Sequence, residues 1–424
     1  MGSCISKKPS NSDTQKKTKE FSHSEDRELK QELQILRRKI NWGSIWGFLE
    51  SKEVISCRTW SVNLLDFIDT SVEFPLVAKV FPKSELVGKL ELFLNELKTL
   101  MTVDHPNVIG FISAFESEEH FYILMEHCQG GNLLERLKEK QRFNEEEATS
   151  ILYQLLKALS YLHANEICNR DVKLANVLLS GSIVKLIDFG ISKQLLRNER
   201  RQSSKGTLEF LAPETLQGDY GVECDMWSCG IVMYLMLTGK TPYSEDLDEG
   251  EIKEVLKTGR LDFSSPGFQQ LSWEAKDLIK KMLCIDPLNR ISASGALNHE
   301  WFENVYHEKP SENLVERLRT LTRQDIKEKR FLKLVNKFLP HKTLKFYIEK
   351  FYSMDTSHLG MINADSLSKG LSPPKNTYIS FSDFLVATMD SSSIPDISLQ
   401  ACAKFFVNCS KTDFHTLTCP ISYA

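Results

Sequence analysis

The chain lacks the features that would carry it across a membrane or out of a reducing compartment. No apolar run reaches the ~18 residues that a spanning helix needs, and no secretory leader opens the chain. Its 10 cysteines include no Cys-x-x-Cys pair and no regular spacing. In a chain of 424 residues they read as reduced, mostly buried thiols rather than a disulfide framework. Neither sign of charge dominates. The net charge is −4, so nucleic acid is not an expected partner. The expected location is the cytosol or a membrane surface facing it. A composition of 41% hydrophobic and 26% charged residues is that of ordinary globular domains, and the length calls for two or three of them.

What the chain does carry begins at its first residues. Gly2 followed by Ser6 fits the N-myristoylation pattern. One myristoyl chain holds a protein on a bilayer only marginally, so a second signal is required. Cys4 is a site for palmitate, and Lys7, Lys8, Lys16, Lys17 and Lys19 form a basic stretch suited to anionic lipid. Residues 1–20 are therefore expected to be an acylated, disordered anchor on the cytosolic face of a membrane. Residues 21–43 are expected to be a charged helical extension with a packing or spacing role.

From residue 76 onward a set of short motifs appears in order. Lys79 lies in an apolar strand pattern, Leu76-Val77-Ala78-Lys79-Val80-Phe81, and Glu96 follows 17 residues later in a helical pattern. Asp171, Lys173 and Asn176 lie in Asn-Arg-Asp-Val-Lys-Leu-Ala-Asn, and Asp188-Phe189-Gly190 begins 12 residues after Asn176. Gly206-Thr207, Ala212-Pro213-Glu214, Asp225-Met-Trp227 and Arg290 complete the series. Phosphoryl transfer needs these residue types, because the reaction depends on positioning and on neutralising phosphate charge. A strand lysine held by a helix glutamate can grip phosphates. An aspartate can orient a hydroxyl, and an asparagine and a second aspartate can hold magnesium. Any one triplet is weak evidence; six in order and at these spacings are strong.

On these motifs, residues 44–302 resemble a eukaryotic protein kinase domain, with an N-lobe over 44–126 and a C-lobe over 127–302. The resemblance implies ATP and Mg2+ as ligands and proteins as substrates. It makes Asp171 the catalytic base, Lys173 the γ-phosphate clamp, and Asn176 and Asp188 the magnesium ligands. Lys79 and Glu96 become the phosphate-holding ion pair. Met125 corresponds to the gatekeeper and Glu126 to Cys128 to the hinge that meets adenine, with Val77 and Leu178 sandwiching the base. Glu214 and Arg290 correspond to the pair that braces the activation segment, where Ser203 and Ser204 are candidate phosphosites near Thr207. Lys173 points to Ser/Thr rather than Tyr specificity.

The chain also departs from the family. The glycine-rich loop is missing: Ile55-Ser-Cys-Arg-Thr-Trp60-Ser-Val62 contains no glycine. Side chains there oppose close backbone approach to phosphate, so weakened ATP binding is expected, with Trp60 in the place of the usual loop aromatic. Asn169 stands where the family has histidine. Asn132 and Ala175 stand where basic-directed kinases have acidic residues, and Glu254 keeps a third acidic position. The alternative reading is a pseudokinase that acts as a scaffold or allosteric partner.

Beyond Trp301-Phe302 the chain resembles calcium-dependent protein kinases of plants and protists. Residues 310–345 are basic and amphipathic, like an autoinhibitory junction. Residues 346–424 resemble a degenerate EF-hand region. Asp355, Ser357, Gly360 and Ile362 occupy loop positions 1, 3, 6 and 8, but Leu359 stands at position 5 and Ser366 at position 12. Calcium needs oxygen at 5 and a bidentate carboxylate at 12. In a second half-hand only Asp383 offers a ligand, so Ca2+ binding is not expected.

The expected architecture is an α+β bilobal kinase fold followed by a small all-α EF-hand-like domain, as a monomer. Gly2→Ala should move the protein from the membrane to the soluble fraction on ultracentrifugation; a variant that stays with the membranes would refute acylation at Gly2.

Overall fold

In a computed structural model of the chain, the residues described are 29–56, 60–68, 74–190, 193–194, 208–218, 220–243, 247–305, 318, 332–363, 378–389 and 394–409. Six strands form one sheet in the order β1-β5-β6-β4-β3-β2: β1 is Asn41–Trp42, β2 Leu49–Ser56, β3 Ser61–Phe67, β4 Leu76–Pro82, β5 Phe111–Glu116 and β6 His120–Glu126. Only β1 pairs in parallel, with β5. In β2 the register against β3 shifts twice, between Ser51 and Glu53 and between Val54 and Ser56. These irregularities lie where the glycine loop of the family would begin.

A helix over 29–37, α1, and α2 (Leu90–Thr102) serve the inner side of this sheet. In α1, Leu33 and Leu36 are buried in the main core, and Arg37 bonds the Glu116 carboxylate with Nε at 2.9 Å. The expected charged extension is thus a packed helix. In α2, Phe93, Leu94, Leu97 and Leu100 share a buried face with Glu96, which is the helical spacing that places an acid beside the sheet.

The second lobe is helical. The 20-residue α4 (Glu145–Ala164) starts at Asn144, whose side chain accepts from the Glu147 N–H, and carries three glutamates in its first turn. Both features suit the positive end of a helix. In α5 (Glu223–Thr238) nearly every residue is buried, and Gly239 closes the helix at φ +78. An apolar helix without a polar face belongs in the middle of a lobe, and α5 packs against α4 and α8 (Trp273–Met282).

The C-terminal region is not a separate appendage. Leu334, Val335, Phe338, Ile394, Ala401, Cys402 and Phe405 form one buried cluster with Phe48, Leu65, Phe67, Ile112, Phe115 and Leu124 of the sheet's outer face. The Phe405 ring lies 5.6 Å from Phe338 and 6.1 Å from Phe48. The docking helix, His341–Met354, then runs towards the helical lobe; its Tyr352 hydroxyl donates to Asn107, which in turn donates to Gln154 of α4. After it, Ile362–Asn363 pairs antiparallel with Tyr378–Ile379, the short ladder of a paired EF-hand.

This placement gives part of the expected autoinhibitory junction, 310–345, a packing role. In its described part, 318 and 332–345, Leu334, Val335 and Phe338 cover the apolar outer face of the sheet, while Leu318, Leu339 and Leu344 join the main core; residues 310–317 and 319–331 lie outside the described residues. Phe338 is fully buried, so Phe338→Ala should destabilise the protein by about 3–5 kcal/mol, read as a lowered urea midpoint; a loss below about 1 kcal/mol would mean that the cover is dispensable.

Candidate active site

The site forms where β4, α2 and the segment after α4 meet. Lys79 is central in the sheet, opposite Val62 on one side and Ile123 on the other. Its ammonium lies 2.7 and 2.8 Å from the two Glu96 carboxylate oxygens and 3.5 Å from Asp188. Burial pulls the Lys79 pKa down, but Glu96 and Asp188 outweigh it and hold the pKa above its ordinary value. Burial also pushes Asp188 up, and Lys79 with the Gly190 N–H reverses that, so Asp188 sits below the ordinary carboxylate range.

The catalytic loop follows β7 (Ile167–Cys168). Asp171 accepts from Lys173 Nζ at 2.7 Å and from Asn176 Nδ2 at 2.7 Å. Burial raises the Asp171 pKa, against the pull of Lys173 and Asn176. Arg170 and Asp188 both have φ of +66, a left-handed conformation that costs non-glycine residues energy and concentrates at functional sites. Asn169 is fully buried. It accepts from the Asp171 N–H at 3.2 Å and donates to the Asp188 carbonyl at 3.4 Å. It therefore links the backbones at Asp171 and Asp188 by hydrogen bonds.

The remaining expected residues fall as follows. Val77 stands opposite Met125 across the β4–β6 ladder, and Leu178 bridges to Asn132. Asn132 caps α3 (Leu133–Lys140) by accepting from the Glu135 N–H. Gly130 is required here: a Cβ would come 2.6 Å from the Leu179 carbonyl. Cys128 is buried, and burial pushes its thiol pKa up. The Glu126 carboxylate points behind the hinge, accepting from the Gly110 N–H at 2.5 Å and pairing with Lys185 at 2.7 Å. Glu214 and Arg290 form a buried double contact at 2.5 and 3.0 Å. Gly2, Cys4, Ser203, Ser204 and Thr207 lie outside the described residues.

Trp60 differs from its expected role as a loop aromatic. It is a core residue, 5.1 Å from the Phe81 ring, with Lys89 Nζ 5.3 Å over its face. An indole flanked by a strand phenylalanine gains more from burial than from a loop position at the solvent edge.

Two contributions were not read from the sequence: the role of Asp225, there only a member of the motif series, and that of His341. The Asp225 carboxylate accepts the backbone N–H groups of Asn169 and Arg170 at 2.8 and 2.7 Å, and so suspends the catalytic loop from α5. The available signal was an acid in the first turn of an otherwise apolar helix. His341 of the docking helix lies 3.2 Å from the His127 carbonyl of the hinge. Nothing in its local sequence pointed there.

The sheet, the helical lobe and this cluster define a phosphotransferase fold, and comparison with known proteins agrees. The protein kinase domain model matches residues 67–302, more than half of the chain, which therefore belongs to the protein kinase family. The match begins past the segment that lacks glycine. The chain resembles calcium-dependent protein kinases. It is 33% identical over 316 residues to calcium-dependent protein kinase 3 of Plasmodium berghei, covering 72% of this chain and 56% of that one. It is 36% identical over 230 residues to calcium-dependent protein kinase 4 of the same organism, covering 53% and 43%. It is 38% identical over 228 residues to the probable serine/threonine-protein kinase fhkD of Dictyostelium discoideum, covering 50% and 30%. The chain thus spans about half the length, or less, of these relatives.

Asp225→Asn would set an amide against one of the two N–H groups. A cost of about 2–3 kcal/mol is expected, with loosened exchange protection at Asn169 and Arg170; unchanged exchange there would show that the loop does not depend on this carboxylate.

Proposed function

We propose that this chain is a working serine/threonine protein kinase that transfers the γ-phosphate of ATP to proteins at the cytosolic face of a membrane, as a monomer and without binding calcium itself. The observation that carries this reading is the formed Lys79–Glu96 pair, 2.7 Å apart, with Asp188 within 3.5 Å of the same ammonium. Where the strand lysine and helix glutamate are apart, phosphates cannot be gripped; here they are together.

The donor set fits magnesium. Asn176 offers an amide oxygen, its nitrogen already committed to Asp171, and Asp188 offers an ionised carboxylate; hard oxygen donors of this kind are what the ion takes. Bound there, magnesium would neutralise phosphate charge. Asp171 would orient the substrate hydroxyl and take its proton as the oxygen bonds to the γ-phosphorus and the bond to the β–γ bridging oxygen breaks. Its raised pKa suits that acceptance. Lys173, beside Asp171, would meet the transferring phosphoryl group. Gly2, Cys4 and the following lysines supply the membrane attachment.

Calcium does not fit the EF-hand-like loops. Asp355 at the first loop position is followed by Leu359 and Ser366 where oxygen ligands are needed. Asp383 is paired with Lys333 at 2.7 Å.

The rival reading, a kinase-shaped scaffold, is favoured by the segment without glycine and the inward Trp60. The deciding measurement is phosphate transfer from Mg-ATP onto a mixed Ser/Thr peptide library, with and without calcium, with Asp171→Asn as control. Transfer that calcium does not alter and the control abolishes is expected. A folded protein that transfers nothing would establish the scaffold.

A further inference from the structure

Lys157 is an unusual charge among the described residues. It sits in α4 between Leu156 and Ala158, and its side chain is fully buried. The catalytic reading makes no use of it. Its ammonium reaches the EF-hand-like loop instead, 3.3 Å from the Asp355 carboxylate, 3.4 Å from the Asp355 carbonyl and 2.6 Å from His358 Nδ1. The Tyr352 and Tyr153 rings lie 5.1 and 5.7 Å away, near enough for each ring to favour a cation.

The loop itself keeps a metal loop's turn. The Asp355 carboxylate accepts from the Leu359 and Gly360 N–H groups, each at 3.0 Å, and Gly360 has φ +69. This turn is pressed into the kinase lobe. A Cβ on Gly360 would come 2.7 Å from Tyr161 and 2.8 Å from His105. Ser160 donates to the His358 carbonyl at 2.5 Å. A buried carboxylate at the head of such a loop requires a counter-charge, and among the described residues the cation that meets it is Lys157.

We propose that Lys157 is the built-in cation of this loop, so that a loop of metal-binding ancestry has become a plug that docks the C-terminal region on the C-lobe through a protein ammonium. This goes beyond the kinase reading and does not depend on phosphate transfer. It makes docking independent of calcium concentration, because the charge is supplied by the chain. A divalent ion entering the loop would face the ammonium and find three or so of the six to eight oxygen ligands it needs.

The test uses the full chain with Lys157→Met, Asp355→Asn and the double variant, followed by thermal midpoint and hydrogen exchange over 341–363, with and without 1 mM CaCl2. Each single change should speed exchange in that segment at least tenfold. The double variant, with neither charge left unpaired, should recover most of the loss in midpoint. Calcium should leave the unmodified protein unchanged. A double variant no better folded than the singles, singles without effect, or calcium protection of 355–363 in the unmodified protein would each overturn the proposal. Peptide phosphorylation is not read at any point, so an inactive kinase would not mimic failure.

Discussion

The constraint on which this structure rests is that its six-stranded sheet has two apolar faces and both must be covered. The inner face is served by α2, through Phe93, Leu94, Leu97 and Leu100, and by the helical lobe. The outer face holds Phe48, Leu65, Phe67, Ile112, Phe115 and Leu124, all buried. Left bare, such a face is large enough to drive association. The segment after the kinase domain removes that liability from within the same chain, with Phe338 and Phe405 at the centre of the cover. The C-terminal region is thus first a structural requirement of the sheet, whatever else it does.

Buried charge is handled by the same logic at three places. Lys79 with Glu96, Arg290 with Glu214, and Lys157 with Asp355 are each removed from water and paired. Such pairs add little net stability, but losing one member leaves a strongly unfavourable orphan. Each therefore acts as a register pin. The first joins α2 to the sheet, the second holds the segment around Glu214 to the helical lobe, and the third seats the docking helix on α4. The backbone of the catalytic loop is fixed in a related way by Asp225, with neutral N–H groups in place of the cation.

Much of the kinase core was legible in the sequence because its chemistry is carried by short contiguous motifs. The structure brings Lys79 to Glu96 and Asp188, and Asp171 to Asn176, the grouping that the resemblance implies. The role of Asn169 was half visible. That an amide replaces a ring is plain from the sequence, but its hydrogen bonds to Asp171 and Asp188 exist only in three dimensions. Trp60 was misjudged because a loop position in one dimension gives no sign of a core pocket beside Phe81. The docking of Leu334, Val335 and Phe338 on the outer sheet was invisible for a different reason: an amphipathic basic segment looks the same whether its apolar face meets a cleft or a sheet. Lys157, a lone charge inside Leu155-Leu156-Lys157-Ala158-Leu159, was not singled out in the sequence, and its partner 198 residues away could not be seen there.

The contact between His341 and the His127 carbonyl sits at the joint between the two lobes. The same C-terminal region grips the upper lobe through Lys337 on the Ile112 carbonyl at 3.1 Å and the lower lobe through Asp355. It spans the joint as a splint spans an elbow. Lobe rocking, which in two-lobed transferases opens and closes the cleft, must here bend or release three attachments at once. On the proposed kinase reading, a nucleotide arriving in such a cleft would spend less of its interaction energy on ordering the protein, offsetting part of what the missing glycines take away. The same stiffness would slow departure, exchanging speed of turnover for readiness to bind.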